Sequence, residues 1–323
     1  MNTWSISMKT LTTLLLSLAF VTTTAVAEKG PAVPDYPADK ITDNTYVIHG
    51  PLTTPNSTNQ GFMNNPGIVM TSAGIVIVDP GGTLQSGEMV LRQLAALTSD
   101  PVVAVFNTHI HGDHWLGNQA IKAAHPKVQI YGHPRMLEMV EAGEGHTWVD
   151  LMEQLTAGQS AGTKVVGPTK AIAGGDIITV GNTQFRIHHY GKAHTETDLM
   201  IEVVEESVVF LGDNVLIGRV PRISDGDVMG NITSLDKVMA SSAKHYVPGH
   251  GKTGDANTPK SFQRYLNILY TEVKKLYEDG MSDFEMKDHL AKALAIYSDW
   301  EDYDVQLGKH ISLVYLQIEE ADF

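Results

Sequence analysis

The sequence predicts an α+β fold in which two β-sheets pack face to face, helices lie outside them, and a helical extension follows. Two successive groups of short β-branched runs, each trailed by segments of helical periodicity, supply the sheets. From Thr258 onward the pattern changes to apolar residues repeating at spacings of four and three. The chain has 323 residues, 42% of them apolar, which is ample for one large core. Glycine shows no three-residue period and no long heptad array is present, so collagen-like and coiled-coil classes are excluded.

Met1 to Ala27 stands apart. It carries Lys9, the apolar run "LTTLLLSLAFV" and then "AVA" ending at Ala27, the small-x-small pattern of a secretory cleavage site. The run is shorter than the roughly 20 residues a bilayer span needs, so the mature chain is expected to start near Glu28, outside the cytoplasm, with no membrane span. The expected division is a leader over 1–27, the two-sheet domain over 28–257, and a helical extension over 258–323 packed on the same domain.

Within the mature chain, "KGPAVPDYPADK" reads as an irregular leader segment, and Thr45 to Ile48, Gly67 to Thr71 and Ile75 to Asp79 read as strands. A helix is expected from Thr83 to about Thr98, with Met89, Leu91, Leu94 and Leu97 on its apolar face, and "PVVAVFN" is a buried strand. "NQAIKAAH", "VQIYGH" and "PRMLEMVEA" alternate helix, strand and helix, whereas Gly143 to Thr169 shows no clear period. "DIITV", "TQFRIHHY", "LMIEVVE" and "SVVFLGD" give the second group of strands, followed by a helix near Ser234 to Ser241 and the strand "HYVPG". In the tail, Thr258 reads as an N-cap with Pro259 at the first helical position. Phe262, Leu266, Leu269, Val273 and Leu276 then form one face before Gly280 ends the helix, and a second helix is expected to open at Ser282, with Glu285 in capping-box spacing.

A formal net charge of −14 without clustered Lys and Arg argues against a nucleic-acid partner and says little else; the expected partner, a small-molecule substrate, rests on the motifs below. Cysteine is absent, so no disulfide or thiolate-bound metal is available. Any metal must be held by His, Asp and Glu, a donor set that suits zinc, iron or manganese.

The segment "NTHIHGDHWLGN" offers such donors. In extended backbone, positions i and i+2 point the same way, so His109 and His111 can meet one cation. Gly112 is expected to let the chain turn sharply and to direct Asp113 and His114 toward a second position. Each site needs about three protein ligands and room for water, so more ligands must come from elsewhere. His194 in "YGKAHTETD", Asp213 in "VVFLGDN" and His250 in "YVPGHGKT" are polar residues at the ends of apolar strands, next to glycines or turns. His49, His125, His133, His146, His245, His289 and His310 stand singly and read as surface or satisfied core residues. Asn64 and Asn65 form a turn that could overhang the site, and Arg219 and Arg222 follow Asp213 closely enough to bind a substrate carboxylate.

The motifs "THIHGDHWLGN", "GKAHTETD", "LGDN" and "PGHG", in this order, resemble those of the metallo-β-lactamase-fold hydrolase superfamily over roughly Thr45 to Thr253. The resemblance implies an αββα sandwich with a dinuclear centre of two zinc ions, iron or manganese being alternatives. It assigns His109, His111 and His194 to one metal, Asp113, His114 and His250 to the other, and Asp213 to both. It also puts Asp79 of "VIVDPGGT" beneath the site, where it would orient a ligand histidine. True metallo-β-lactamases usually carry cysteine or serine at the shared position, whereas Asp213 is similar to glyoxalase II and lactonases. "GDNVLIGRVP", the leader and the helical end look more like the exported SoxH-like and quinoprotein-relay metallohydrolases.

The reaction expected from this resemblance is hydrolysis of an ester, thioester, lactone or lactam by a metal-bridging hydroxide, with Asp113 as a proton acceptor or donor besides its ligand role. Two rivals remain. One is a mononuclear iron persulfide dioxygenase using His109, His194 and Asp213, and the other is a non-catalytic periplasmic zinc-binding protein.

Overall fold

The computed structural model describes Met1 and residues 29–322. The expected leader falls almost wholly on residues 2–28, outside the described residues. No described helix is long and apolar enough to cross a membrane.

The first sheet contains β1 (Ala38–Lys40), β2 (Thr45–Ile48), β3 (Gly67–Thr71), β4 (Gly74–Val78), β5 (Val102–Phe106), β6 (Gln129–Gly132) and β7 (Lys170–Ala171), side by side in chain order. Its first four strands pair antiparallel, and β4 to β7 pair parallel. The second sheet is built from β8 (Ile177–Val180), β9 (Thr183–His188), β10 (Met200–Val203), β11 (Val208–Phe210) and β12 (His245–Val247), in the order β12-β11-β10-β9-β8. Only the β11–β12 pair of this sheet is parallel.

The period-2 alternation of a strand explains the layering. On β4, Val76 and Val78 face the second sheet and join Phe106, Phe185, Ile201 and Phe210 in the core between the sheets. Their neighbours Ile75 and Ile77 face the other way, onto Met89, Val90 and Leu94 of α1 (Leu84–Leu97). α1 lies within the expected Thr83 to Thr98 span; Thr83 caps it in a box with Ser86, and Thr98 closes it. Around the site end of this layer lie α2 (Gly112–Trp115), α3 (Asn118–Ala124), α4 (Pro134–Glu141) and α5 (Glu144–Leu155).

Four expectations about elements are corrected. Ala38–Lys40, read as irregular, is a strand because it finds β2 as a partner. The stretch after Gly143 contains α5, entered through Gly143 at φ +108, a left-handed start that carries no sequence cap signal. The helix expected near Ser234 is α6 (Val228–Met239), which starts earlier because the Asp227 side chain accepts from the Gly230 amide. The tail helix, α7 (Asn257–Glu278), begins before Thr258, with Ala256 as its N-cap; Pro259 fits in the first turn, where no amide hydrogen is needed.

α7 is followed by α8 (Lys287–Ala293) and α9 (Tyr303–Ala321). Phe262, Leu266 and Leu269 of α7 and Val314 of α9 share one cluster with Val209 and Tyr246 from the outer face of the second sheet. Each such side chain contributes about 1.5–3 kcal/mol when fully buried. Helix propensity differences, under about 0.7 kcal/mol per ordinary residue, are smaller, so packing rather than propensity holds this layer.

Strand direction sets where function can reside. β4 and β5 run the same way, as do β11 and β12, and β9 matches β11 after two antiparallel steps. The segments after these five strands carry Asp79, the 109–114 cluster, His194, Asp213 and His250.

Candidate metal centre

Seven predicted donors converge there in two groups. His109, His111, His194 and Asp213 form one, and Asp113, His114, His250 and Asp213 the other; within each, one donor atom per residue lies within 4.8 Å of the rest. All seven residues are buried. Asp213 belongs to both groups through different oxygens. Its Oδ2 is 3.6 Å from His194 Nε2, while Oδ1 is 3.0 Å from His114 Nε2 and 3.3 Å from His250 Nε2.

Hydrogen bonds fix which nitrogen of four rings is bare. Asp79 accepts at Oδ1 from the Thr108 amide (2.8 Å) and at Oδ2 from the Thr108 hydroxyl (2.7 Å). That hydroxyl, already donating, accepts from His109 Nδ1 at 2.9 Å, which leaves His109 Nε2 buried without a partner. His114 Nδ1 donates to Asp79 Oδ2 at 2.8 Å, and His250 Nδ1 donates to the Met63 carbonyl at 2.9 Å. Their two Nε2 atoms therefore both present lone pairs, yet lie 3.3 Å apart. His111 Nε2 donates to Asp225 Oδ2 at 3.0 Å, so its bare Nδ1 faces His194 Nε2 at 3.0 Å. Among the described residues, His194 Nδ1 is buried and unpartnered.

Lone pairs crowded in this way repel unless a cation lies between them. Three buried carboxylates, Asp79, Asp113 and Asp213, point the same way, because their ion-pair contacts among the described residues are to histidines rather than Lys or Arg. The donor set of nitrogen and carboxylate oxygen fits two cations of the zinc, iron or manganese type.

Titration follows the same geometry. Burial, reinforced by His114, holds His109 well below the usual histidine range. Burial and then His111 lower His194 to about 3. Burial opposes charge on Asp113, His114 and His250 alike, but their mutual attraction and that of Asp213 outweigh it, so the two histidines are held above and Asp113 below the usual ranges: a proton on Nε2 stands where a cation would otherwise separate these atoms. Burial pushes Asp198 up to about 7, although the Thr195 amide and hydroxyl hydrogen-bond its carboxylate.

Small residues permit the close approach. A Cβ on Gly249 would come within 1.9 Å of Asp213 Oδ1, so the "PGHG" turn needs glycine before His250. Gly112 does not act as the sharp turn expected of it. It opens α2 directly after His111, and a Cβ there would come within 2.7 Å of Trp148, so it is small for packing. Asn64 and Asn65 do not overhang the site. Asn64 donates to the Asp79 carbonyl, and Asn65 to the carbonyls of Pro248 and Gly251, which pins two of the site loops.

A cavity of about 270 Å³ opens beside the donors and includes Arg219 and Arg222 in its lining. Arg219 is buried and pairs with Asp302 at 3.1 Å; Arg222 is more exposed and lies 3.6 Å from Asp225. Three contributors were not legible in the sequence. Asp225, which holds His111, lies in "ISDGD" and looks like an ordinary turn aspartate. Trp148, whose ring is 5.1 Å from that of His111, lies in the stretch without a clear period. Asp302 is remote in sequence from its partner Arg219, and no local pattern links them.

Residues 60–250 match the family described as the metallo-beta-lactamase superfamily. The chain is 26% identical over 169 residues to a hydroxyacylglutathione hydrolase of a Nostoc species, covering 50% of this chain and 53% of that relative. It thus spans about half the length of the curated relatives it matches. In fold it is similar to the metallo-beta-lactamase from Pontibacter korlensis, with TM-score 0.58 and 18% identity over 72% of this chain and 99% of that one. A double mutant of the sec-alkyl sulfatase PisA1 gives TM-score 0.70 and 15% identity over 87% of this chain and 50% of that one.

Proposed function

The chain belongs to the metallo-beta-lactamase superfamily, and from that premise we propose that it is an exported, dinuclear metal-dependent hydrolase of esters, thioesters, lactones or lactams. The observation that carries this reading is the single buried carboxylate of Asp213, with one oxygen toward each donor group. His109, His111 and His194 would hold one cation and Asp113, His114 and His250 the other, zinc being the expected metal. A carboxylate at the shared position supports a reaction of the glyoxalase II or lactonase kind over that of a true β-lactamase.

When bound, the cation pair supplies a nucleophilic water at neutral pH and an electrophilic anchor for the oxygen on which charge develops. The chain's own residues do the rest. The Thr108–Asp79 network and the Met63 carbonyl keep His109, His114 and His250 in the tautomer that presents a bare Nε2. Water oxygen joins the acyl carbon, the C–O, C–S or C–N bond breaks, and the leaving atom takes up a proton. Asp113 lies at the cavity wall, where its carboxylate would accept the water proton and return it to the leaving atom besides its ligand role. Arg222, loosely paired, would meet the carboxylate that is released.

Metal analysis of the purified chain, combined with a panel of ester, thioester, lactone and lactam substrates, tests this proposal. Two metals per chain and turnover abolished by chelation are expected. One iron with oxygen consumption would favour the dioxygenase instead, and firmly bound metal without turnover of any substrate would favour a binding protein. For the exported state, amino-terminal sequencing of the cell-envelope fraction should start near Glu28. Retention of residues 1–27 on a cytoplasmic protein would overturn it.

A further inference from the structure

The cavity beside the donors has two unlike sides. One is the polar donor cluster. The other is apolar, and α5 supplies much of it: Trp148, Leu151, Met152 and Leu155 all line the cavity. Their spacing of three, four and seven puts them on one helix face. Met63 and Leu216 are further apolar members of the lining. Met152 is fully buried, yet Leu155 on the same face stays 42% exposed, so among the described residues this apolar stripe runs from the core out to the mouth without being covered.

Charge at the mouth is nearly spent. Arg219 and Arg222 are the Lys or Arg residues in the lining; the first is matched by Asp302, and the second stands by Asp225. On the far side of His111 and Trp148, a cavity of about 480 Å³ sets Glu144, Glu196 and Asp225 against Lys192 and Arg222. Such a rim can accept one carboxylate but gives little to a ligand carrying two. Glutathione, a tripeptide thiol with two carboxylates and one ammonium, would leave a carboxylate unmatched at this rim.

Resting on the hydrolase reading above, we infer that the substrate carries an apolar arm, attached directly to the bond that is hydrolysed, which lies along the Trp148–Leu155 face of α5. The cavity, of about 270 Å³ and open at its mouth, has the size of a small-molecule subsite.

Two homologous series measured on the metal-loaded chain test this: methyl esters from acetyl to octanoyl, and acetates from methyl to octyl. Specificity kcat/KM should climb by about two- to fourfold per methylene in at least one series. It should level off once the cavity is filled, and a glutathione thioester should be slower than the best ester. Leu155→Glu, at a half-open position where folding should survive, should lower the long-to-short ratio at least tenfold. Calorimetry with the product analogues butanoate and octanoate reads the same surface without turnover. Octanoate should bind at least tenfold more tightly, and Leu155→Glu should erase the difference. Flat series with turnover intact, or a preferred glutathione thioester, would overturn the apolar arm and leave the hydrolase reading standing. Absence of all turnover would defeat the hydrolase reading, and the calorimetric comparison would still decide the arm: equal affinities would overturn it.

Discussion

His114 and His250 are propped from inside the sandwich, whereas His111 is propped from outside it. The first two rings lean on the Asp79 carboxylate, with a side chain only 5% exposed, and on the Met63 main chain. His111 leans on Asp225, whose side chain is 45% exposed, in the segment that follows the shared Asp213. That segment is sutured to the carboxyl-terminal layer. The Val220 amide donates to the Glu301 carbonyl, the Glu301 amide to Gly218, and Gln317 of α9 to Gly226. The difference teaches that one donor group takes its geometry from the sheets and the other takes part of its geometry from helices that contribute no donor.

The largest disturbance should be the one that removes the residue common to both groups. Asp213→Ala leaves lone pairs on both sides without the shared carboxylate, so metal stoichiometry should fall and kcat/KM should drop by roughly 1000-fold or more. Unchanged metal content and rate would remove the basis for a shared centre. Next comes His250→Ala, which attacks the sheet-held group alone. The chain should stay folded and keep one metal on His109, His111 and His194, with the rate down by roughly 100-fold or more. Two tightly held metals in that variant would reduce His250 to a turn residue.

A matched pair sharpens the contrast. Asp79→Asn and Asp225→Asn each replace a carboxylate that accepts from a ring nitrogen. Asp79 takes three donors on two buried oxygens, so an amide there must set its own N–H₂ against at least one of them, at a cost of about 1–3 kcal/mol. Its φ of +51 is tolerated by asparagine, so backbone strain does not confound the comparison. Asp225 takes one ring donor and is open to water, so Asn can rotate and still accept. Activity should fall by roughly 10- to 100-fold for Asp79→Asn and less than about 10-fold for Asp225→Asn, with a loss of thermal stability only in the first. Equal losses in the pair would show that inside and outside props matter alike.

How far this contrast could be read in advance depends on locality. Histidines two and three residues apart announce a shared site because one loop must bring them together. His194, Asp213 and His250 are recognisable as polar ends of apolar strands, and strand direction delivers them to one edge. The outside prop has no such signature. Asp225 and Asp302 reach the site through His111 and Arg219, 114 and 83 residues away, and a single aspartate in a turn has the same sequence pattern whether or not it holds a ring. α5 was missed for a related reason. Its start is a left-handed glycine without a side-chain cap, and its apolar face is shared between the core and the cavity.

The smallest expected effect tests the suture itself. His310 of α9 donates from Nε2 to the Pro221 carbonyl at 2.7 Å, and its Nδ1 accepts from the Tyr265 hydroxyl at 2.8 Å. Burial holds this histidine neutral and lowers its pKa to about 4. The unfolded chain takes up a proton on this residue near pH 6.5, while the folded chain resists until about pH 4. Between those values the unfolded state binds more protons, so stability rises with pH and is lost as the solution is acidified. The slope from this one group reaches at most about 1.4 kcal/mol per pH unit. His310→Leu removes the titrating group along with both hydrogen bonds. It should lower the melting temperature at pH 7, yet lose less further stability than the unaltered chain between pH 6.5 and 4. Because His310 holds this segment at Pro221 alone, while Glu301 and Gln317 keep their own bonds to it, activity at pH 7 should change by less than about threefold. Parallel stability curves for the two proteins would show that His310 does not titrate across the transition, and a tenfold loss of activity would show that the carboxyl-terminal layer governs the donor cluster more tightly than the exposure of Asp225 implies.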